Sequence, residues 1–134
     1  MISKRITIEG VDKTGKDLLV QYIVRMSNHK YVIQSRGIMS QMAYTQIYNR
    51  NYEYDLAPYK HDVIFYLKGD IDDLAIRHKI TGEPPINIQK DMAVFDDVAV
   101  LLRNNGIDVI ELDTSSATPY QNAKKILKYM EQYE

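Results

Sequence analysis

Apolar residues fall along this chain in two alternating textures. Short, nearly continuous apolar runs occur at Arg5-Ile-Thr-Ile-Glu, Tyr31-Val-Ile-Gln, Asp62-Val-Ile-Phe-Tyr-Leu and Ile107-Asp-Val-Ile-Glu-Leu. Runs of that length between turn residues predict strands, and the third has the texture of a strand covered on both faces. Elsewhere the spacing changes to three and four. It predicts a helix from Lys16 to about Asn28, with Leu18, Leu19, Tyr22, Ile23 and Met26 inward. A second runs from about Ile38 to Arg50 on Met39, Met42, Ala43 and Ile47, and a third from Asp70 to about Lys79. The fourth spans about Gln89 to Asn104 on Met92, Phe95, Val98, Leu101 and Leu102. The last spans Pro119 to Gln132 on Tyr120, Ala123, Ile126, Leu127 and Met130. Punctuation agrees: Ser27-Asn28-His29-Lys30, Lys68-Gly69 and Asn105-Gly106 are stop signals. Residues 51–60 read as a loop or frayed turn, and 80–87, with Gly82 and Pro84-Pro85, as a surface loop.

Strands that alternate with helices call for a parallel sheet, because each parallel pair needs a long crossover that packs back on the sheet. The expected architecture is α/β: three layers, α/β/α, around a parallel sheet of about four strands, as one domain over residues 1–134. Ligands of such sheets sit outside the carboxyl ends of the strands. Four segments fall there: Gly10–Lys16, Ser35–Arg36, Lys68–Asp70 and Asp113–Ser116.

The first of these carries the chemistry. Gly10, Gly15 and Lys16 satisfy G-x-x-x-x-G-K between a strand and a helix, the pattern of a phosphate-binding loop. Glycines let backbone amides turn toward phosphate oxygens, and the following helix adds its positive end. A lysine at the end of the loop reaches the β- and γ-phosphates. Gly10, Val11, Asp12, Lys13, Thr14, Gly15 and Lys16 are therefore the candidate nucleotide contacts, with Asp17 beside them. The motif expects a hydroxyl residue at 17 to hold Mg²⁺. Asp17 can ligate Mg²⁺ itself, but against a bare triphosphate it repels, by about 4 kcal/mol per charge pair ~4 Å apart at an effective dielectric near 20.

Composition narrows the classes. The 134 residues suffice for one core. A formal charge of -1 argues against a nucleic-acid or membrane surface. The absence of cysteine removes disulfides, a thiol nucleophile and thiolate zinc sites. No apolar run is long enough to span a membrane, and Met1-Ile-Ser-Lys-Arg leads into a strand rather than a signal sequence, so a cytoplasmic setting is expected. His29, His61 and His78 are too scattered to suggest zinc. The eleven tyrosines are expected at the edges of the core, rings covered and hydroxyls wet.

The segment Ile8-Glu-Gly-Val-Asp-Lys-Thr-Gly-Lys16 is similar to the phosphate loop of thymidylate kinases, within the P-loop deoxynucleotide and deoxynucleoside kinases. Ser35-Arg36-Gly37-Ile-Met-Ser-Gln-Met-Ala-Tyr44-Thr-Gln46 resembles that family's stretch from Asp-Arg-Tyr to Ser-x-Ala-Tyr-Gln. Phe65-Tyr-Leu, Asp70 and Leu74-Ala-Ile-Arg77 resemble its later strand and the helix entering the lid, and Gly82-Glu83 what remains of the lid. The resemblance implies a P-loop NTPase-like fold and transfer of the ATP γ-phosphate, with Mg²⁺, to a deoxynucleoside monophosphate. By the same resemblance, Lys16 and the amides of Gly15 and Lys16 hold the donor phosphates, and Lys13 reaches the transferred group. Asp12 touches the acceptor sugar, Arg36 clamps the acceptor phosphate and Tyr44 lies against the deoxyribose. Lys16, Lys13 and Arg36 are the catalytic cations, and Arg77 and Lys79 stand at the lid.

The departures define a second reading. Ser35 replaces the family's acidic residue before the arginine, and Asp17 replaces the hydroxyl; the two changes would compensate each other if one metal ligand had moved from the second strand into the loop. Only twenty positions separate Lys16 from Arg36, where the family inserts a strand and helices carrying the aromatic residue that stacks on the base. The alternative is thus a catalytically degenerate homologue serving as a nucleotide-binding or protein-interaction module. A homodimer whose partner completes the acceptor site is a further expectation to test.

Overall fold

All of Ile6, Thr7, Ile8 and Glu9 are buried in β1 (Arg5–Glu9), so this strand has neighbours on both edges and layers on both faces. The computed structural model describes residues 4–11, 15–50, 53–80 and 88–133. β1 is followed by α1 (Lys16–Met26), β2 (Ile33–Ser35), α2 (Ile38–Ile47), a short 3₁₀ turn at Ala57–Tyr59 and β3 (Asp62–Lys68). Then come α3 (Ile71–Ile80), α4 (Ile88–Asn104), β4 (Asp108–Asp113), α5 (Pro119–Met130) and a closing turn at Glu131–Tyr133. The four strands are parallel in the order β2-β1-β3-β4. Ile8 lies opposite both Ser35 and Phe65, which brings the carboxyl ends of β1, β2 and β3 level.

The two-residue repeat of the strands divides the core. Ile6, Ile8, Val63 and Phe65 pack with Leu19 and Ile23 of α1 and Ala123, Ile126 and Met130 of α5. Ile64 and Tyr66 face the other way, against Ile38, Met39 and Met42 of α2 and Phe95, Val98 and Leu102 of α4. The three-layer α/β/α arrangement expected from the sequence is the one observed. β1 hands the chain to a helix on one face and β2 to a helix on the other, so the crevice beyond β1 is a point where the winding changes sides.

Several local expectations are corrected. α1 stops at Met26 rather than Asn28 because Asn28 and His29 adopt left-handed backbone, φ 53 and 60. α2 stops at Ile47 rather than Arg50, ended by Asn49 at φ 54, a residue type that tolerates this conformation. The spacing puts Leu18 and Met26 on the inner face of α1, and Leu101 and Tyr120 on those of α4 and α5, yet each is exposed. The true stripes are narrower, and Ala99 takes the inward position beside Val98. Tyr66 breaks the expectation for tyrosines: it is wholly buried, and its hydroxyl donates to Asp96 Oδ1 at 2.9 Å. Among the described residues no helix is long and apolar enough to cross a membrane.

Candidate functional site

β1 delivers the chain to the crevice at Gly10, and α1 starts at Lys16. Gly15 sits between them at φ 83, a left-handed conformation with no side-chain cap, which is why glycine is needed there. Asp12, Lys13 and Thr14, expected at phosphate, acceptor-sugar and transferred-phosphate contacts, lie outside the described residues. So do Gly82, Glu83, Pro84 and Pro85 of the expected lid. Lys16 is buried, and its Nζ donates to the carbonyls of Gly10 at 3.2 Å and Val11 at 2.9 Å. Asp17 is exposed in the first turn of α1.

Arg36 comes to the same carbonyl from the neighbouring strand. At the end of β2 its backbone takes φ 68, with its N–H on Ile8 O at 2.8 Å. Left-handed backbone in a residue with a Cβ costs about 1–2 kcal/mol and is a frequent mark of functional positions. Its Nη1 donates to Gly10 O at 3.2 Å, Ser40 Oγ at 3.3 Å and Tyr44 OH at 3.3 Å, and the guanidinium lies 5.6 Å from the Tyr44 ring centre. Lys16 and Arg36 therefore share one acceptor, Gly10 O, and their two charges stand at the same mouth. Ser35 is exposed. Tyr44 is held edge-on by Phe95 at 5.7 Å.

The turn that sets Arg36 depends on Gly37. A Cβ there would stand 2.7 Å from Gln34 Nε2 and 3.1 Å from Thr7 Cγ2, while Gln34 Nε2 donates to Thr7 Oγ1 at 3.1 Å. Gly37→Ala is expected to displace Gln34, break that bond and cost about 1–2 kcal/mol. Urea titration of both proteins checks this; an unchanged midpoint would mean the strand end relaxes freely.

Sequence reasoning passes over Glu9 and Ser40. Glu9 is fully buried, and its carboxylate accepts from the Ser40 amide at 2.9 Å and the Ser40 hydroxyl at 2.6 Å. It thereby fixes the first turn of α2 and backs the hydroxyl that meets Arg36. Burial pushes the Glu9 carboxyl up; the Ser40 bonds, the Gly37 amide and the Arg36 charge pull it partly back. The one sequence signal is a lone carboxylate inside an apolar strand next to the glycine loop. A carboxyl raised in the folded state stabilises the fold at low pH, and that contribution is lost as pH climbs from the ordinary glutamate value of 4.5 through the raised one. The stability difference between wild type and Glu9→Gln should shift against wild type over that range. Denaturation at successive pH values measures it, and parallel curves would refute the assignment.

On the far side of Gly15 lies a cleft of about 160 Å³, lined by Leu19, Leu67, Arg77, Thr114, Ala117 and Asn122 among others. Thr114 N and Oγ1 both donate to Lys68 O, and Arg77 Nη2 donates to Thr114 O at 3.3 Å. Asn122 Nδ2 donates to Asp113 O, while its buried Oδ1 has no partner among the described residues. The serine turn is folded by Asp113, whose carboxyl the Ser116 hydroxyl and the Ser115 amide hold below its ordinary value. The described parts of the four segments expected at the strand ends thus lie at the carboxyl edge of the sheet, and Lys79 is exposed on α3.

Among the described residues no three carboxylates or imidazoles converge on a metal position. The donor set nevertheless suits Mg²⁺ of the kind that keeps its waters and is shared with phosphates, for which one carboxylate is enough. Asp17, exposed beside Lys16 in the first turn of α1, is the carboxylate that would supply it.

No protein-family model matches the chain, and no curated protein matches it. Among solved structures the chain is similar to the YorR protein of Bacillus subtilis, determined in complex with phosphorylated GDP. The superposition has a TM-score of 0.74 and covers 98% of this chain and 99% of YorR, at 15% sequence identity. At that identity the shared property is the fold, a three-layer α/β/α architecture around a parallel sheet.

Proposed function

We propose that this protein is a small phosphotransferase of the thymidylate kinase kind, moving the γ-phosphate of ATP to a nucleoside monophosphate, with a deoxynucleotide as the first acceptor to try. The observation that carries the reading is the convergence of Lys16 and Arg36 on Gly10 O at the carboxyl edge of β1. One cation belongs to the loop that would hold the donor, the other to the strand beside it. Phosphoryl transfer asks little more of a protein than in-line positioning and neutralisation of equatorial charge. Lys16 would hold donor oxygens, Arg36 the acceptor phosphate, and the cleft beyond Gly15 the donor base, its apolar floor formed by Leu19 and Leu67. Mg²⁺ at Asp17 would supply charge neutralisation between donor oxygens. The phosphorylated GDP bound by YorR supports a phosphate-rich nucleotide as the ligand of a protein with this fold.

The degenerate-homologue reading keeps one specific support, the carboxylate of Asp17 where a hydroxyl is expected. A coupled assay pairing ATP and GTP with each common nucleoside monophosphate separates the two. Turnover that requires Mg²⁺ supports the kinase. Calorimetric binding of ATP-Mg²⁺ without turnover for any acceptor supports the binding module.

A further inference from the structure

α2 carries a second feature that leads away from Arg36. Ser40, Tyr44 and Tyr48 recur every four residues and form one stripe. Tyr44 and Tyr48 stack with ring centres 6.1 Å apart and planes 22° apart. Arg36 lies over the Tyr44 ring at 5.6 Å, and Arg50 over the Tyr48 ring at 5.7 Å. The result is a ladder of four groups: cation, ring, ring, cation. Its outer end is built by the helix stop. Asn49, at φ 54, turns the chain so that Arg50 N bonds back to Thr45 O at 2.8 Å and the Arg50 side chain returns over Tyr48. Tyr54 closes the opposite wall, its hydroxyl paired with Thr45 Oγ1 at 2.6 Å and donating to Gln41 O at 3.2 Å.

The groove between them is open to solvent and measures about 440 Å³, and no carboxylate lines it among the described residues. That volume is in the range of small-molecule sites, about 300–1,000 Å³. Tyr48 is 63% exposed, so a large ring is left open to water at the outer end of a groove whose inner end is Arg36. An interior-packing role does not account for that exposure. A flat, anionic, ring-bearing molecule fits the arrangement, phosphate inward and ring outward.

We propose that Tyr48 and Arg50 form the platform for the acceptor's nucleobase, with the acceptor phosphate at Arg36 and its sugar along Tyr44. This rests on the phosphotransferase reading and specifies its acceptor subsite. The segment between Lys16 and Arg36 is too short to bring an aromatic wall from elsewhere, and the platform comes instead from the end of α2. Stacking a base between Tyr48 and Arg50 needs two contact layers of about 3.5 Å, roughly 7 Å in all. The present 5.7 Å separation must open by little more than ~1 Å, which a long exposed arginine side chain allows. Stacking discriminates poorly between bases, so several nucleoside monophosphates should bind with similar affinity.

The chain has no tryptophan, so Tyr48→Trp introduces a single reporter at the platform. Titrated with dAMP or dTMP, its emission should be quenched, whereas deoxyribose 5-phosphate should leave it unchanged. By calorimetry, Tyr48→Ala should weaken dAMP and dTMP roughly 5- to 150-fold, the range of one base–aromatic stack. It should leave deoxyribose 5-phosphate unaffected, and Tyr48→Phe should retain wild-type affinity. An unquenched reporter at saturating dAMP, equal affinities in wild type and Tyr48→Ala, or no monophosphate binding to wild type would each overturn the platform. Phosphoryl transfer by the wild-type chain is read separately. Quenching without transfer keeps the platform and removes the kinase; transfer without quenching does the reverse.

Discussion

Lys16→Met should lose ATP-Mg²⁺ affinity and turnover by about 10²–10³-fold, the cost of removing one preorganised charge partner from a transferring phosphoryl group. The side chain is 8% exposed, and its ammonium rests on two carbonyls of the loop it closes. That position keeps the charge where water screens it least. A phosphate entering the loop would compete for the ammonium with Gly10 O and Val11 O. Methionine preserves most of the buried stem, so the fold should survive; a melting temperature within a few degrees of wild type is the control. Calorimetry with ATP-Mg²⁺ measures the loss directly. Equal affinity in Lys16→Met and wild type would mean that the Lys16 ammonium does not meet the triphosphate, and the proposed reaction would lose the cation of its donor site.

The layers and the parallel sheet are accessible from sequence because the sheet is buried on both faces, whereas the strand order β2-β1-β3-β4 is not. Val63-Ile-Phe-Tyr-Leu reads as a central parallel strand, and Ser27-Asn28-His29-Lys30 and Asn105-Gly106 mark the ends of α1 and α4 to within two residues. Helix faces are less accessible. Leu18 and Leu101 are apolar and correctly spaced, but α1 and α4 each pack one side against a flat sheet, and only the narrower stripe through Leu19 and Ile23, or Phe95 and Leu102, touches it. For the site, the glycine loop points to Lys16, and position after a strand points to Arg36. Nothing local reveals that both donate to Gly10 O, since that contact depends on the parallel pairing of β1 with β2. Glu9 is hidden for the opposite reason: it reads as a polar edge residue until α2 covers it. The ladder ending at Tyr48 and Arg50 requires knowledge of where α2 stops, and helix ends are set by single residues such as Asn49.

Arg36→Ala should raise the acceptor KM and lower kcat/KM for the acceptor by about 10²–10³-fold, while ATP-Mg²⁺ affinity stays within roughly threefold. The asymmetry follows from position: Arg36 approaches from β2, across Gly10 O from the loop that would carry the donor. Arg36→Lys keeps a positive charge, but a single ammonium cannot span Gly10 O, Ser40 Oγ and Tyr44 OH while presenting a planar fork to phosphate, so it should fall between the two. The backbone supplies an independent check. Alanine and glycine both remove the guanidinium, yet only glycine is at ease at φ 68. Arg36→Gly should therefore be more stable than Arg36→Ala by about 1 kcal/mol in urea denaturation, with both equally poor toward the acceptor. If the alanine variant is as stable as the glycine one, the strand end is not left-handed in solution, and the geometry that aims Arg36 at the mouth fails with it. If stability follows this order but acceptor kinetics are unchanged in both, the strain serves the turn alone and Arg36 is not the acceptor clamp.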